Sequence, residues 1–137
     1  MKRLIILCII SFCLFSHTEL KAQFKLQLVK IKCIDAEDRN DDETFIMVND
    51  TRVWDYGGDD MASGEERSLL SVSPISFNCP IAIRVYDEDT GDDYCGRHII
   101  NISPVDYRDF GREKLQELQM VDEDCRYSIT YKVLLDN

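Results

Sequence analysis

The sequence predicts an all-β chain folded as an antiparallel β-sandwich of seven or eight strands. Three observations point there. Hydropathy alternates with period two along most of the 137 residues. Clusters of Gly, Pro, Asn and Asp cut the alternating runs into short pieces. The chain also carries an even set of cysteines past its N-terminal leader, the habit of small exported domains.

The elements follow in order. "FKLQLVKIKC" (24–33) sets Phe24, Leu26 and Leu28 on one face, then Ile31 and Cys33 after a slip at Val29, the pattern of a bulge. "ETFIMVND" (43–50) and "TRVWDY" (51–56) read as two strands around a tight turn at Asn49–Asp50. "RSLLSVS" (67–73) follows a Gly-rich loop. "CPIAIRVYD" (79–87) and "CGRHIINIS" (95–103) flank an acidic loop, and "SPVDYRDF" (103–110) reads as a capped helical turn. The pattern of "REKLQELQMV" (112–121) fits a helix and an edge strand equally. In the last strand Cys125, Tyr127, Ile129, Tyr131, Val133 and Leu135 share a face.

Residues 1–22 read as a secretory signal: Lys2 and Arg3, the apolar run 4–15, and a cleavage site after Ala22. The run is shorter than the roughly 20 apolar residues that span a bilayer, and a retained anchor is the alternative reading. Residues 23–137 are then one exported domain, extracellular or periplasmic. The whole chain carries a net charge of −10, and losing Lys2, Arg3, Lys21 and Glu19 makes the remainder more acidic. Such a surface repels nucleic acid.

Cys8 and Cys13 leave with the signal, so Cys33, Cys79, Cys95 and Cys125 remain, without a CxxC pair that would suggest zinc or thiol redox chemistry. If strands alternate up and down, Cys33 and Cys95 lie at one end of the sandwich and Cys79 at the other. A return of 104–124 to that other end gives Cys33–Cys95 and Cys79–Cys125, the preferred pairing. A crossing strand at 112–121 would instead bring Cys125 to the first end and strand Cys79. Three connectivities are open to four cysteines.

The same parity gathers the acids. "IDAEDRNDDE" (34–43) and "DEDTGDD" (87–93) leave one end of the fold, together with residues 57–64. So many carboxylates repel one another unless a cation relieves them. Ca²⁺, with six to eight oxygen ligands in a flexible cage, suits them better than Mg²⁺. The bland alternative is a pair of solvated acidic loops. An EF-hand is excluded, because "DEDTGDDYCGRH" puts Asp92 at the sixth loop position and His98 where the bidentate Glu belongs.

"DDETFIMVND" followed by "IAIRVYDEDTGDDYCG", with "YSITYKVL" near the end, resembles the C2 domain, a calcium-dependent β-sandwich. The likeness covers most of 24–135, and its specific part is the two loop stretches. It implies Asp38 and Asp42 as first-loop metal ligands and Asp87, Asp89 and Asp93 as third-loop ligands, with Glu43 and Asp92 as substitutes. The spacing from Asp89 to Asp93 is shorter than the usual C2 pattern, and Thr44 stands where that pattern has proline.

The resemblance implies a module that engages anionic lipid headgroups, or another polyanion, glycan or protein, through loop-bound Ca²⁺. The loop tips Arg39–Asn40 and Thr90–Gly91 carry no large apolar side chain, leaving Met61 and Tyr94 as candidates for membrane contact. The second reading is a calcium-stabilised structural or protein-interaction domain. An enzyme is not expected, since no G-x-S-x-G or Cys–His–Asn set occurs and His98 is the sole histidine past the signal. "NDT" makes Asn49 an N-glycosylation acceptor, whereas "NIS" (101–103) precedes Pro104 and is a poor one.

Overall fold

The computed structural model describes residues 24–36, 43–56, 61–88, 93–102, 114–122 and 125–135, with Asp93 described in backbone only. Expectations for the signal segment and for the turn at 103–110 lie outside these residues. The described residues form nine strands: β1 (Phe24–Asp35), β2 (Thr44–Val48), β3 (Thr51–Asp55), β4 (Glu66–Ser68), β5 (Ile75–Phe77), β6 (Ile81–Asp87), β7 (Asp93–Ile100), β8 (Gln116–Val121) and β9 (Arg126–Leu135). One sheet runs β4-β1-β9-β8, with β5 also on β1, and the other runs β3-β2-β6-β7. All the pairings are antiparallel.

Two alternating faces build one core. The inner positions of β1 are Phe24, Leu26 and Leu28, then Ile31 and Cys33 after a register shift between Leu28 and Lys30. That shift is the bulge expected at Val29, and it keeps both halves of a 12-residue strand facing inward. Ile46 and Val48 of β2, Ile83 and Val85 of β6, and Tyr127, Ile129 and Val133 of β9 complete the packing. Truncating a fully buried residue such as Ile83 or Ile129 to alanine costs about 2–5 kcal/mol.

Within 112–121, residues Gln116–Val121 form a strand. β8 runs beside β9 from Gln116↔Tyr131 to Val121↔Arg126, burying Leu118 and Met120. Residues 67–73 do not form the strand expected there. Pairing stops at Ser68, and the chain turns so that Leu69 is buried and Leu70 exposed.

Candidate metal centre

Strand ends define one pole. β1 closes with Asp35 opposite Arg126, and β2 opens with Thr44 opposite Asp87 at the end of β6. The Glu88 N–H donates to the Glu43 carbonyl at 2.9 Å, and the Tyr56 N–H to the Thr44 carbonyl at 3.3 Å. The connections 37–42, 57–60 and 89–92 therefore all spring from this pole, and so does the β8–β9 connection. The described ends of the two acidic segments, Asp35 and Glu43 of the first and Asp87 and Glu88 of the second, lie at one end of the sandwich, as strand parity predicts.

Of the five expected ligands, Asp38, Asp42 and Asp89 lie outside the described residues. Asp93 opens β7 in register with Asp87. Asp87 is described in full and is 3% exposed, the one charged residue buried among the described residues. Its place follows from β6: Ile83 and Val85 point inward, so the next alternate position does too. A carboxylate drawn this far from water needs compensating donors or positive charge. An oxygen-seeking cation at the mouth of the pole is chemically suited to supply it. Among the described residues, no three His, Cys, Asp or Glu side chains converge on a metal position.

A polar contact lies beneath the mouth. The hydroxyls of Thr44 and Tyr127 meet at 2.8 Å, joining the two sheets inside the core. Behind the second connection, Glu65 accepts the Ala62 N–H at 3.1 Å and the Arg67 guanidinium at 2.8 Å. Arg67 also donates to the Tyr56 hydroxyl at 2.8 Å and lies over its ring. On the outer face, Arg52 lies 4.0 Å over the Phe45 ring and pairs with Asp55 and Glu88. The hydrogen bond from Arg52 holds the Glu88 carboxyl below its ordinary pKa.

The disulfide is Cys95–Cys125, which corrects the preferred pairing of Cys33 with Cys95 and Cys79 with Cys125. Because β8 crosses the sheet, the chain is already at the loop pole when it reaches Cys125. Cys125 therefore meets Cys95 near the start of β7. Cys79 lies at the other end, where its sulfur donates to the Ile102 carbonyl at 2.8 Å and accepts the Ile102 N–H at 3.1 Å. Cys33 is buried in the core outside the bridge.

One further correction concerns exposure. Met61 is 0% exposed and belongs to the core, so it is no candidate for membrane contact, whereas Tyr94 is 40% exposed at the start of β7. Residues that sequence reasoning missed as site members are Thr44, noted only as a departure from the C2 proline, Tyr127, read as a strand position, and Asp122, which lies at the pole after β8. The signal for the last was "VDEDC", an acid run directly before a cysteine. Asn49 sits at the opposite pole in the β2–β3 turn, exposed, with φ of 54°.

No family model matches the sequence, and no curated protein does. Solved structures share its fold. An isolated C2 domain superposes with a TM-score of 0.52, covering 85% of this chain and 99% of that one at 13% identity. CC2D1B gives a TM-score of 0.50, 88% and 66% coverage and 10% identity. The tandem C2 domains of extended synaptotagmin 2, calcium bound, give 0.49, 84% and 45%, and 14%. The chain thus spans less than half of that two-domain structure. Its fold is that of a C2 domain, an all-β sandwich with a disulfide at the loop pole.

Proposed function

We propose that this C2-fold domain is a non-enzymatic binding module that holds Ca²⁺ at its loop pole and presents it to anionic lipid headgroups or another polyanion. The observation that carries this reading is the joining of the two acidic segments. Thr44 pairs with Asp87, Glu88 bonds to Glu43, and a carboxylate is buried where the segments meet. Asp87 would be the innermost ligand, with Asp38, Asp42, Asp89 and Asp93 supplied by the connections and the start of β7. Bound Ca²⁺ would reverse the local field, so a pole that repels phosphate when empty would attract it when loaded.

The reading includes export with removal of residues 1–22, supported by the leader pattern and by a disulfide, which suits an oxidising compartment. In such a compartment, affinity in the range of extracellular modules keeps the site loaded rather than pulsed. Asn49 would serve as a glycan acceptor in a glycosylating host. The second reading is a metal that only rigidifies the loops, with nothing bound through it.

A calorimetric Ca²⁺ titration of the secreted protein, repeated on Asp87→Asn with Asp89→Asn, tests the metal. Sedimentation with phosphatidylserine and phosphatidylcholine vesicles, in calcium or chelator, tests the ligand. Heat and thermal stabilisation lost in the double variant, with calcium-dependent retention on the anionic vesicles only, is expected. Stabilisation without retention on vesicles selects the second reading. No thermal shift in millimolar calcium overturns both. Edman sequencing should begin at Gln23.

A further inference from the structure

The stems of the connections and the two sheets meet at Glu43 and Thr44. The Thr44 carbonyl accepts the N–H of Tyr56, the stem of the second connection. Glu43, directly before it, accepts the N–H of Glu88, the stem of the third. The Thr44 side chain crosses the sandwich to the Tyr127 hydroxyl at 2.8 Å. Its partner in the β2–β6 register is Asp87. Thr44, Tyr127 and Asp87 are 1%, 0% and 3% exposed.

Register partners in an antiparallel pair carry their Cβ atoms about 4.5–5.5 Å apart, within reach of a short side chain. Two hydroxyls own two protons, and the bond between them uses one. The other can be given to the carboxylate beside them. We propose that Thr44 and Tyr127 are positioning residues for the cation site, their hydroxyl pair fixing the rotamer of the Asp87 carboxylate at the mouth of the pole. This rests on the calcium reading above. The hydroxyls touch no ligand. They act through Asp87, as groups behind a metal ligand orient it and set its affinity.

The test uses Thr44→Val, which keeps the shape and removes the hydroxyl, Thr44→Ser, which keeps the hydroxyl, and Tyr127→Phe. Each is titrated with Ca²⁺ in a calorimeter and unfolded thermally in calcium and in EDTA. Expected is a loss of about 10-fold in Ca²⁺ affinity for Thr44→Val and for Tyr127→Phe, with near-normal affinity in Thr44→Ser. The double variant should be no weaker than either single one, because both remove the same bond. The calcium-induced rise in Tm should shrink in step. A Tm lowered equally in calcium and EDTA, with affinity unchanged, overturns the inference and leaves the calcium reading standing. A wild-type protein that neither binds nor is stabilised by calcium overturns both. Should Thr44→Val fail to fold, Tyr127→Phe decides alone, since it deletes one oxygen and keeps the ring.

Discussion

Gly96 lies so close to Met120 that a Cβ built on it would stand 2.8 Å from the Met120 Cβ and 3.3 Å from the Val121 nitrogen. Its φ of +136° is also one that L side chains rarely adopt. This contact brings β7 against β8 at the side of the sandwich where Cys95 reaches Cys125. Gly96→Ala is expected to lower stability by about 2–4 kcal/mol through strain and overpacking together. Gly64, at φ +91° with nothing within 4 Å, is the control, and alanine there should cost about 1–2 kcal/mol from backbone strain alone. Urea unfolding of the two variants separates the terms.

The bridge across that seam closes a loop of 30 residues. Chain entropy assigns such a loop about 3–4 kcal/mol. Peptide mapping of the secreted protein should recover Cys95 linked to Cys125 and Cys79 as a thiol. Replacing Cys95 and Cys125 together by alanine should lower the unfolding free energy measured in urea by that amount. A Cys79–Cys125 peptide would refute the seam.

The strongest strand was legible because one face is apolar without interruption: 125, 127, 129, 131 and 133 are all buried. The slip at Val29 was legible because hydropathy changed parity there, and the shared acidic pole followed from counting strand crossings. What stayed open was 112–121, which reads as a helix or an edge strand and contains the edge strand β8, and the reason lies in two exposed residues. Leu115 and Val121 are 57% and 56% exposed, yet with Leu118 they space like a helix face. The buried pair that marks the strand, Leu118 and Met120, is only two residues long. The preferred cysteine pairing assumed no crossing strand there, and β8 overturned it. Thr44 and Tyr127 were invisible as a pair because their contact spans 83 residues and depends on sheet register.

The turn at Asn49 combines two requirements. Its φ of 54° favours Gly or Asn, and its Oδ1 accepts the Ala82 N–H at 3.1 Å, fastening the turn to the start of β6. Asn49→Gly keeps the backbone and loses the bond, so about 1 kcal/mol is expected. Asn49→Ala loses both and should cost about 2–3 kcal/mol, whereas Asn49→Asp keeps the acceptor and should be nearly neutral. Guanidinium denaturation checks the order. A glycan on Nδ2 would leave Oδ1 as acceptor, so mass lost in Asn49→Asp reports sequon use without disturbing the turn.

The segment 61–65 is braced by a charge that acid should release. The hydrogen bond from Arg67, and then that from the Ala62 N–H, hold the Glu65 carboxyl below its ordinary pKa, while partial desolvation opposes them. A carboxyl that is more acidic when folded than when unfolded stabilises the fold above its unfolded-state pKa. That contribution drains away as pH falls through the lower folded value. Glu65 should therefore titrate by NMR below the usual glutamate range, and Arg67→Met should move it upward. The segment 61–65 should loosen only on the acid side of that range, seen as faster amide exchange at Ala62, whose N–H the carboxylate accepts. In Glu65→Gln the acid-dependent part of this exchange should vanish. If Glu65 titrates at or above its ordinary value, the brace seen between Glu65 and Arg67 does not operate in solution.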